Sequence, residues 1–143
     1  MLKSIKGLFK SAELLKGNYG IEREMLRVTK EGKLSNLVHP ESFGDKSKNP
    51  YITTDFSESQ IEVITPTFKT VEEAYNFTNA LYDIAAMEIG DEYLWPQSMP
   101  CDIPDDDKIP VAIYSEESKE AQIYREKLLE KYGGKKQLIS GIH

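Results

Sequence analysis

Apolar residues recur every three or four positions in three stretches of the chain, a spacing typical of helices that bury one face. The first stretch covers residues 3–16, the second begins at Thr70 and ends near Gly90, and the third covers residues 116–132. Thr70 is followed three positions later by a glutamate, as in a capping box, and Ser115 precedes the third stretch as a candidate N-cap. We therefore predict three helices.

Acidic side chains interrupt a stretch of strand-forming residues at 19–28. Glu22 and Glu24 stand two positions apart, so on a strand both carboxylates lie on one face, and Leu26 and Val28 follow them there. Like charges on one sheet face repel each other unless a cation neutralises them. A metal site at the acidic end of this strand is therefore the first hypothesis.

A second acidic strand is predicted to run from about residue 53 and to end at Pro66, and it carries Asp55, Glu58 and Glu62. Glu58 and Glu62 share a face if this strand is straight. Asp55 and Glu62 are seven positions apart and would then face opposite ways. Either a bulge or a turn interrupts the strand, or Asp55 lies in the loop before it.

Turn and loop residues separate these elements. A turn is predicted at 30–33, a loop over 35–50, and a long connection over 90–110 that contains four prolines and an acidic run. Residues 137–143 resemble a strand that stops before any turn, which we interpret as a sequence that is cut off. The elements together predict an α+β fold, a partial antiparallel sheet of two or three strands with flanking helices.

Composition narrows the class of protein without identifying it. The 143 residues, of which 39% are hydrophobic, fit a single domain covering 1–143. A formal net charge of −6 argues against a nucleic-acid surface, and no apolar stretch approaches the length of a membrane span. The single Cys101 excludes an internal disulfide and a cysteine-rich zinc site. We expect a cytoplasmic protein that binds neither nucleic acid nor membrane.

A divalent cation fits the acidic residues best. Mg²⁺ prefers carboxylate oxygens and bridges to substrate phosphates, and a histidine ligand suits Mn²⁺ equally well. The alternative is that these are ordinary solvated charges on exposed strand faces, which are common on antiparallel sheets. His39 is expected to be a loop residue, Trp95 a core residue and Cys101 a small buried apolar residue. The candidate ligands are Glu22, Glu24, Asp55, Glu58, Glu62 and His143.

Four runs of sequence resemble consecutive motifs of one enzyme family. They are GIEREMLRV at 20–28, YITTDFSESQIEVITP at 51–66, GDEYLWPQSMPC at 90–101 and IYREKLLEKYGGKKQLISGIH at 123–143. In this order they resemble bacterial glutamate–cysteine ligase, also called γ-glutamylcysteine synthetase. The form YGIERE and the last run are also similar to the ligase half of the bifunctional enzyme that makes glutathione in one chain.

The resemblance implies a role for individual residues. It implies that the metal ligands are Glu22, Glu24, Asp55, Glu62 and His143. It places four further residues near the cysteine-binding pocket, namely Phe56, Tyr124, Leu128 and Gln137. It does not assign Glu58 to the metals.

The resemblance also implies a fold and a reaction. The fold is related to glutamine synthetase, with an antiparallel sheet curved into a funnel that holds ATP, metals and amino acids. In the reaction, ATP phosphorylates the γ-carboxylate of L-glutamate, and the amine of L-cysteine displaces phosphate to form γ-glutamylcysteine. We expect ATP as co-substrate and Mg²⁺, or alternatively Mn²⁺, as cofactor.

The chain is much shorter than the catalytic domain of that family. We therefore interpret it as the N-terminal portion of one ligase domain, supplying the metal-binding acids and part of the cysteine pocket. The alternative is a non-catalytic module that binds a metal or an amino acid.

Overall fold

The sheet is antiparallel and has four strands in the order β2-β3-β1-β4. The computed structural model describes residues 16–143, so the helix predicted over 3–16 lies, apart from its last position, outside the described residues. An antiparallel sheet with flanking helices confirms the predicted α+β class. In chain order the elements are β1 Glu22–Val28, β2 Ile52–Thr54, β3 Gln60–Ile64, α1 Val71–Glu88, β4 Tyr93–Trp95 and α2 Lys119–Tyr132.

Helix α1 covers one face of the sheet and begins where the capping box predicts. The Glu73 N–H donates to Thr70 Oγ1 at 3.2 Å, and the Thr70 N–H donates to Glu73 Oε2 at 3.1 Å. Among the described residues, no helix is long and apolar enough to cross a membrane. The core between α1 and the sheet contains Met25, Phe43, Ile52, Ile61, Val63, Leu81, Ala85, Ile89 and Leu94.

Of the alternatives left open for the second acidic strand, the turn is the one found, because this stretch is a hairpin. β2 and β3 pair antiparallel with Thr53 opposite Glu62 and Thr54 opposite Ile61. A turn over 55–59 joins them, and the Gln60 N–H donates to the Ser57 carbonyl at 3.0 Å. Asp55, Ser57 and Ser59 are residue types that turns favour, whereas Phe56 is a strand former, so composition marks the turn only in part.

Helix α2 packs on the opposite face of the sheet, over the end of β1 that lies away from the acids. It follows a short 3₁₀-helix, Glu116–Ser118, and the side chain of Ser115 makes no capping hydrogen bond, so the predicted cap is wrong. Gly133 ends α2 as predicted, with φ +78° and its N–H bonded to the Leu129 carbonyl at 2.9 Å. The core on this face contains Leu26, Leu34, Phe56, Ile109 and Leu138, with Leu128 and Leu129 packed against it.

Two predictions near the end of the chain need correction. The connection over 90–110 is not all loop, because the three residues of β4 pair with β1. The predicted strand over 137–143 begins instead with the 3₁₀-helix Lys135–Leu138. Only the last residues follow β1, where the His143 N–H donates to the Glu22 carbonyl at 2.8 Å. A short strand before a proline and a single bridge are both too brief for a sequence period to reveal.

Arg27 of β1 is 1% exposed and joins three segments of the fold. Its guanidinium pairs with Glu92 at 2.9 Å and donates to the carbonyls of Val38 and Glu58, each at 3.0 Å. Because a buried cation without such partners is costly, these bonds fix the loop after β1 and the β2–β3 turn relative to the sheet. The turn that carries Asp55 is therefore tied to the sheet by a buried hydrogen bond.

Candidate functional site: an acidic face of the sheet

Four carboxylates predicted to be metal ligands share one face of the sheet. Glu24 lies directly opposite Glu62 in the β1–β3 pairing, and Glu62 lies opposite Thr53 in the β2–β3 pairing. Asp55 follows Thr53 by two positions and therefore lies on the same face, as Glu22 does beside Glu24. The hairpin turn resolves the difficulty that a separation of seven positions raised. We call these four side chains, which come from three chain segments, the acidic face.

Glu62 lies at the centre of the acidic face and its charge is poorly compensated. Partial burial, followed by the nearby charges of Asp55, Glu22 and Glu24, raises the pKa of Glu62 from 4.5 to about 7. Burial also raises the pKa of Asp55, and Arg125 beside it lowers that pKa in part. A group of carboxylates in this state gains stability from either a proton or a cation.

Glu24 is held by the chain segment that follows residue 140. Its Oε2 accepts the Gly141 N–H at 2.8 Å, and its Oε1 lies 3.5 Å from Nε2 of His143. Burial raises the pKa of Glu24, while the hydrogen bond from Gly141 and the nearness of His143 oppose that shift. The imidazole of His143 is 62% exposed, so it lies at the rim of the acidic face.

Arg125 of α2 is a site residue that sequence reasoning missed. Its guanidinium donates to the carbonyl of Asp55 and, at 3.4 Å, to that of Thr54, while its centre lies 4.9 Å from the Tyr114 ring. Arg125 therefore holds the turn and places a positive charge beside the acids. No local signal could have found it, because these contacts span about seventy residues of sequence.

The donor chemistry of the acidic face fits a hard divalent cation. Carboxylate oxygens and one imidazole are ligands that Mg²⁺ or Mn²⁺ accepts. Burial and the neighbouring charges of Asp55, Glu22 and Glu24 together raise the pKa of Glu62. Within residues 16–143, no group of three or more His, Cys, Asp or Glu side chains is close enough together to hold a metal ion. The carboxylates thus lie on one face of the sheet, but they are farther apart than the ligands of a bound metal ion.

The residues predicted near a cysteine pocket lie around the second core, beyond the apolar end of the acidic face. Phe56 is 2% exposed within this core, and Leu128 packs against it from α2. Tyr124 is 61% exposed one helical turn before Leu128, and Gln137 is half-buried in the 3₁₀-helix beside it. Phe56 and Leu128 therefore share one apolar region, and Tyr124 has the most exposed of the four side chains.

Glu58 faces away from the acidic face, because the turn interrupts the straight strand on which it would share a face with Glu62. It is 2% exposed, its Oε2 accepts the His39 N–H at 2.6 Å, and its Oε1 accepts the Ile113 N–H at 2.6 Å. Lys46 forms an ion pair with it. Burial alone would raise the pKa of Glu58, but these bonds hold it below the usual value. Glu58 is a structural residue.

Three other residues agree in part with the structural roles predicted for them. His39 is a loop residue as predicted but is 6% exposed and packs against the ring of Phe43. Trp95 and Cys101 are half-buried at the margin of the second core rather than fully inside it. Burial raises the pKa of the Cys101 thiol, which argues against a nucleophilic role.

Fold and site together define an α+β domain whose antiparallel sheet carries a cluster of carboxylates beside an apolar region. The chain belongs to the glutamate–cysteine ligase family, because the family model of that description matches residues 2–143. The membership confirms the resemblance carried by the four sequence runs.

Relatives and solved structures agree with this assignment. The chain is 48% identical to the glutathione biosynthesis bifunctional protein GshAB of Clostridium perfringens, covering 100% of the chain and 18% of that protein. It is 46% identical to the glutamate–cysteine ligase of Clostridium acetobutylicum, again covering 100% of the chain and 30% of that protein. The crystal structure of glutamate–cysteine ligase from Francisella tularensis in complex with AMP matches with a TM-score of 0.83 and 36% identity, over 86% of this chain and 25% of that one.

Proposed function

We propose that the chain forms part of an enzyme that joins the γ-carboxylate of L-glutamate to the amine of L-cysteine at the expense of ATP. Its family membership supports this proposal, as does its similarity to a ligase whose crystal structure contains AMP. On this proposal the chain is the N-terminal portion of one catalytic domain with a glutamine synthetase-like sheet. Its partners are the small molecules ATP, L-glutamate and L-cysteine.

The acidic face is the proposed binding site for Mg²⁺ or Mn²⁺. The observation that carries this proposal is that Glu62 lies among three other carboxylates on one sheet face, and the raised pKa of Glu62 agrees with it. The ligands would be Glu22, Glu24, Asp55, Glu62 and His143. A bound divalent cation would neutralise the polyphosphate of ATP and the charge that develops on the transferred phosphoryl group.

The residues of the chain have distinct tasks in this reaction. The negatively charged carboxylates would bind the cation. Arg125 fixes the turn that carries Asp55. Transfer of the γ-phosphoryl group of ATP to glutamate gives γ-glutamyl phosphate, and attack by the cysteine amine then releases phosphate and forms the amide. Phe56, Tyr124, Leu128 and Gln137 would provide part of the pocket for cysteine.

Titration with Mn²⁺, followed by the electron paramagnetic resonance signal of the free ion, tests the metal site directly. We expect the 143-residue chain to bind Mn²⁺ and Glu62→Gln to weaken binding at least tenfold, because the variant removes the central carboxylate. Glu88→Gln removes an exposed acid at the end of α1 and serves as the matched control. Equal affinity of both variants and the unaltered chain would remove Glu62 from the site.

A second candidate function is a module that binds metal or an amino acid without turnover. The observation that favours it is that the chain spans 18% and 30% of the two curated relatives described above. Phosphate release from ATP in the presence of Mg²⁺, L-glutamate and L-cysteine separates the two candidates. Release by the 143-residue chain that depends on both amino acids would exclude the module.

A further inference from the structure

Both backbone polar groups of Gly141, its N–H and its carbonyl, form hydrogen bonds with Glu24. Its N–H donates to the Glu24 Oε2 at 2.8 Å, and its carbonyl accepts the Glu24 N–H at 3.0 Å. A carboxylate that accepts a backbone N–H has one oxygen fixed in direction. The other oxygen of Glu24 is left to face Nε2 of His143 at 3.5 Å.

Backbone freedom does not explain a glycine at this position. Among the described residues, the glycines with positive φ are Gly32, Gly44, Gly90 and Gly133, so Gly141 has a backbone conformation that other residues adopt. A Cβ at Gly141 would instead lie 2.7 Å from Nε2 and 3.2 Å from Cε1 of His143. A Cβ essentially never lies as close as 2.7 Å to another heavy atom, so a side chain at 141 would displace the imidazole.

We infer that Gly141 is a positioning residue for the Glu24–His143 pair, acting through two separate contacts. Its N–H orients the carboxylate, and its missing side chain leaves the space in which the imidazole of His143 lies. This inference rests on the proposed function for its purpose, because the pair contributes two of the proposed metal ligands. Groups that orient ligands typically change metal affinity by a factor of about ten to a hundred when they are altered.

Gly141→Ala tests the effect of the missing side chain separately from that of the hydrogen bond, because alanine keeps the backbone N–H. We expect Gly141→Ala to weaken Mn²⁺ binding about tenfold, to match His143→Ala, and to add nothing further in the double variant. Gly20→Ala is the matched control, because a Cβ there would meet its nearest neighbour at 3.6 Å, an ordinary contact. Wild-type affinity in Gly141→Ala, or additive losses in the double variant, would overturn the inference.

Nuclear magnetic resonance on the metal-free chain tests the same geometry without the metal. In the unaltered chain we expect nuclear Overhauser contacts from the imidazole protons of His143 to an Hα of Gly141 and to the Hγ protons of Glu24. Gly141→Ala should lose the contact to Glu24 while its far-ultraviolet circular dichroism remains that of the unaltered chain. An imidazole that shows no contact with Gly141 in the unaltered chain would overturn the inference.

The two experiments fail separately. If the unaltered chain does not bind Mn²⁺, the proposed metal site is refuted, and the imidazole contacts alone decide whether Gly141 positions His143. If Mn²⁺ binds and the contacts are absent, the metal site stands and the role of Gly141 is refuted.

Discussion

Glu58 and Glu62 are four positions apart, yet their surroundings differ in the one respect that decides what each can do. Glu58 is buried with its own cation, Lys46, and with two backbone N–H donors, so its pKa lies below the usual value. Glu62 is half-buried among three other carboxylates, so its pKa rises to about 7. A buried acid that the fold supplies with donors stabilises the structure, whereas one left among like charges is available to an external cation.

The largest effect expected from this comparison is on stability. Glu58→Ala should lower the free energy of unfolding by about 3–5 kcal/mol, because it leaves Lys46 and the backbone N–H groups of residues 39 and 113 without their partner. Urea denaturation followed by circular dichroism measures this change. Glu88→Ala, at an exposed acid, should stay within about 0.5 kcal/mol of the unaltered chain. A similarly small loss in Glu58→Ala would show that the Glu58 network does not stabilise the fold.

The next effect concerns His39, which packs beside Glu58. Burial, together with the charge of Lys46, lowers the pKa of His39 from 6.5 to about 4. The unfolded chain therefore binds this proton more tightly, and stability is lost as the pH falls from 6.5 to 4, by up to about 3 kcal/mol.

Glu62 acts in the opposite sense, because its folded pKa is raised, so stability falls as the pH rises from 4.5 to about 7. The Glu62→Gln background therefore removes one large opposing contribution, and comparing it with and without His39 measures the contribution of His39. Denaturation at several pH values should show a steep loss of stability on acidification in Glu62→Gln, and His39→Asn in the same background should flatten it. Equal slopes with and without His39 would contradict the assignment.

A smaller effect is expected at Arg125, the cation beside the acidic face. Arg125→Lys keeps the charge, but a lysine ammonium cannot reproduce the planar guanidinium that donates to the carbonyls of Thr54 and Asp55. We therefore expect the free energy of unfolding to fall by about 1 kcal/mol. Arg125→Gln removes the charge as well and should raise the pKa of Glu62 further, since Arg125 lowers it. An unchanged carboxyl titration of Glu62 in Arg125→Gln would show that the guanidinium does not act on this site.

Sequence patterns predicted what depends on neighbours in the chain. The capping box at Thr70 and the shared face of Glu22 and Glu24 follow from periods of a few residues, and both are confirmed. The turn at Asp55 is one of the alternatives that the sequence leaves open, because the turn-favouring residues Asp55, Ser57 and Ser59 alternate with the strand former Phe56 and with Glu58. The contact of Arg125 with that turn depends on tertiary packing, and no local period encodes it.

The role of Glu58 also could not be predicted from neighbours in the chain. On a straight strand it is indistinguishable from Glu62, and only its contacts with Lys46 and residue 113 show that it is a structural acid. The family resemblance left Glu58 out of the metal ligands, in agreement with its position away from the acidic face. The contacts supply the physical reason, since every oxygen of Glu58 already has a donor.

The most direct test of the difference between the two acids is a carboxyl titration of Glu62 by nuclear magnetic resonance, with and without saturating Mg²⁺. We predict a pKa near 7 in the metal-free chain and a return to 4.5 or below when Mg²⁺ is present, because the cation stabilises the ionised carboxylate. A pKa near 4.5 without metal, or one that stays near 7 at saturating Mg²⁺, would contradict the account.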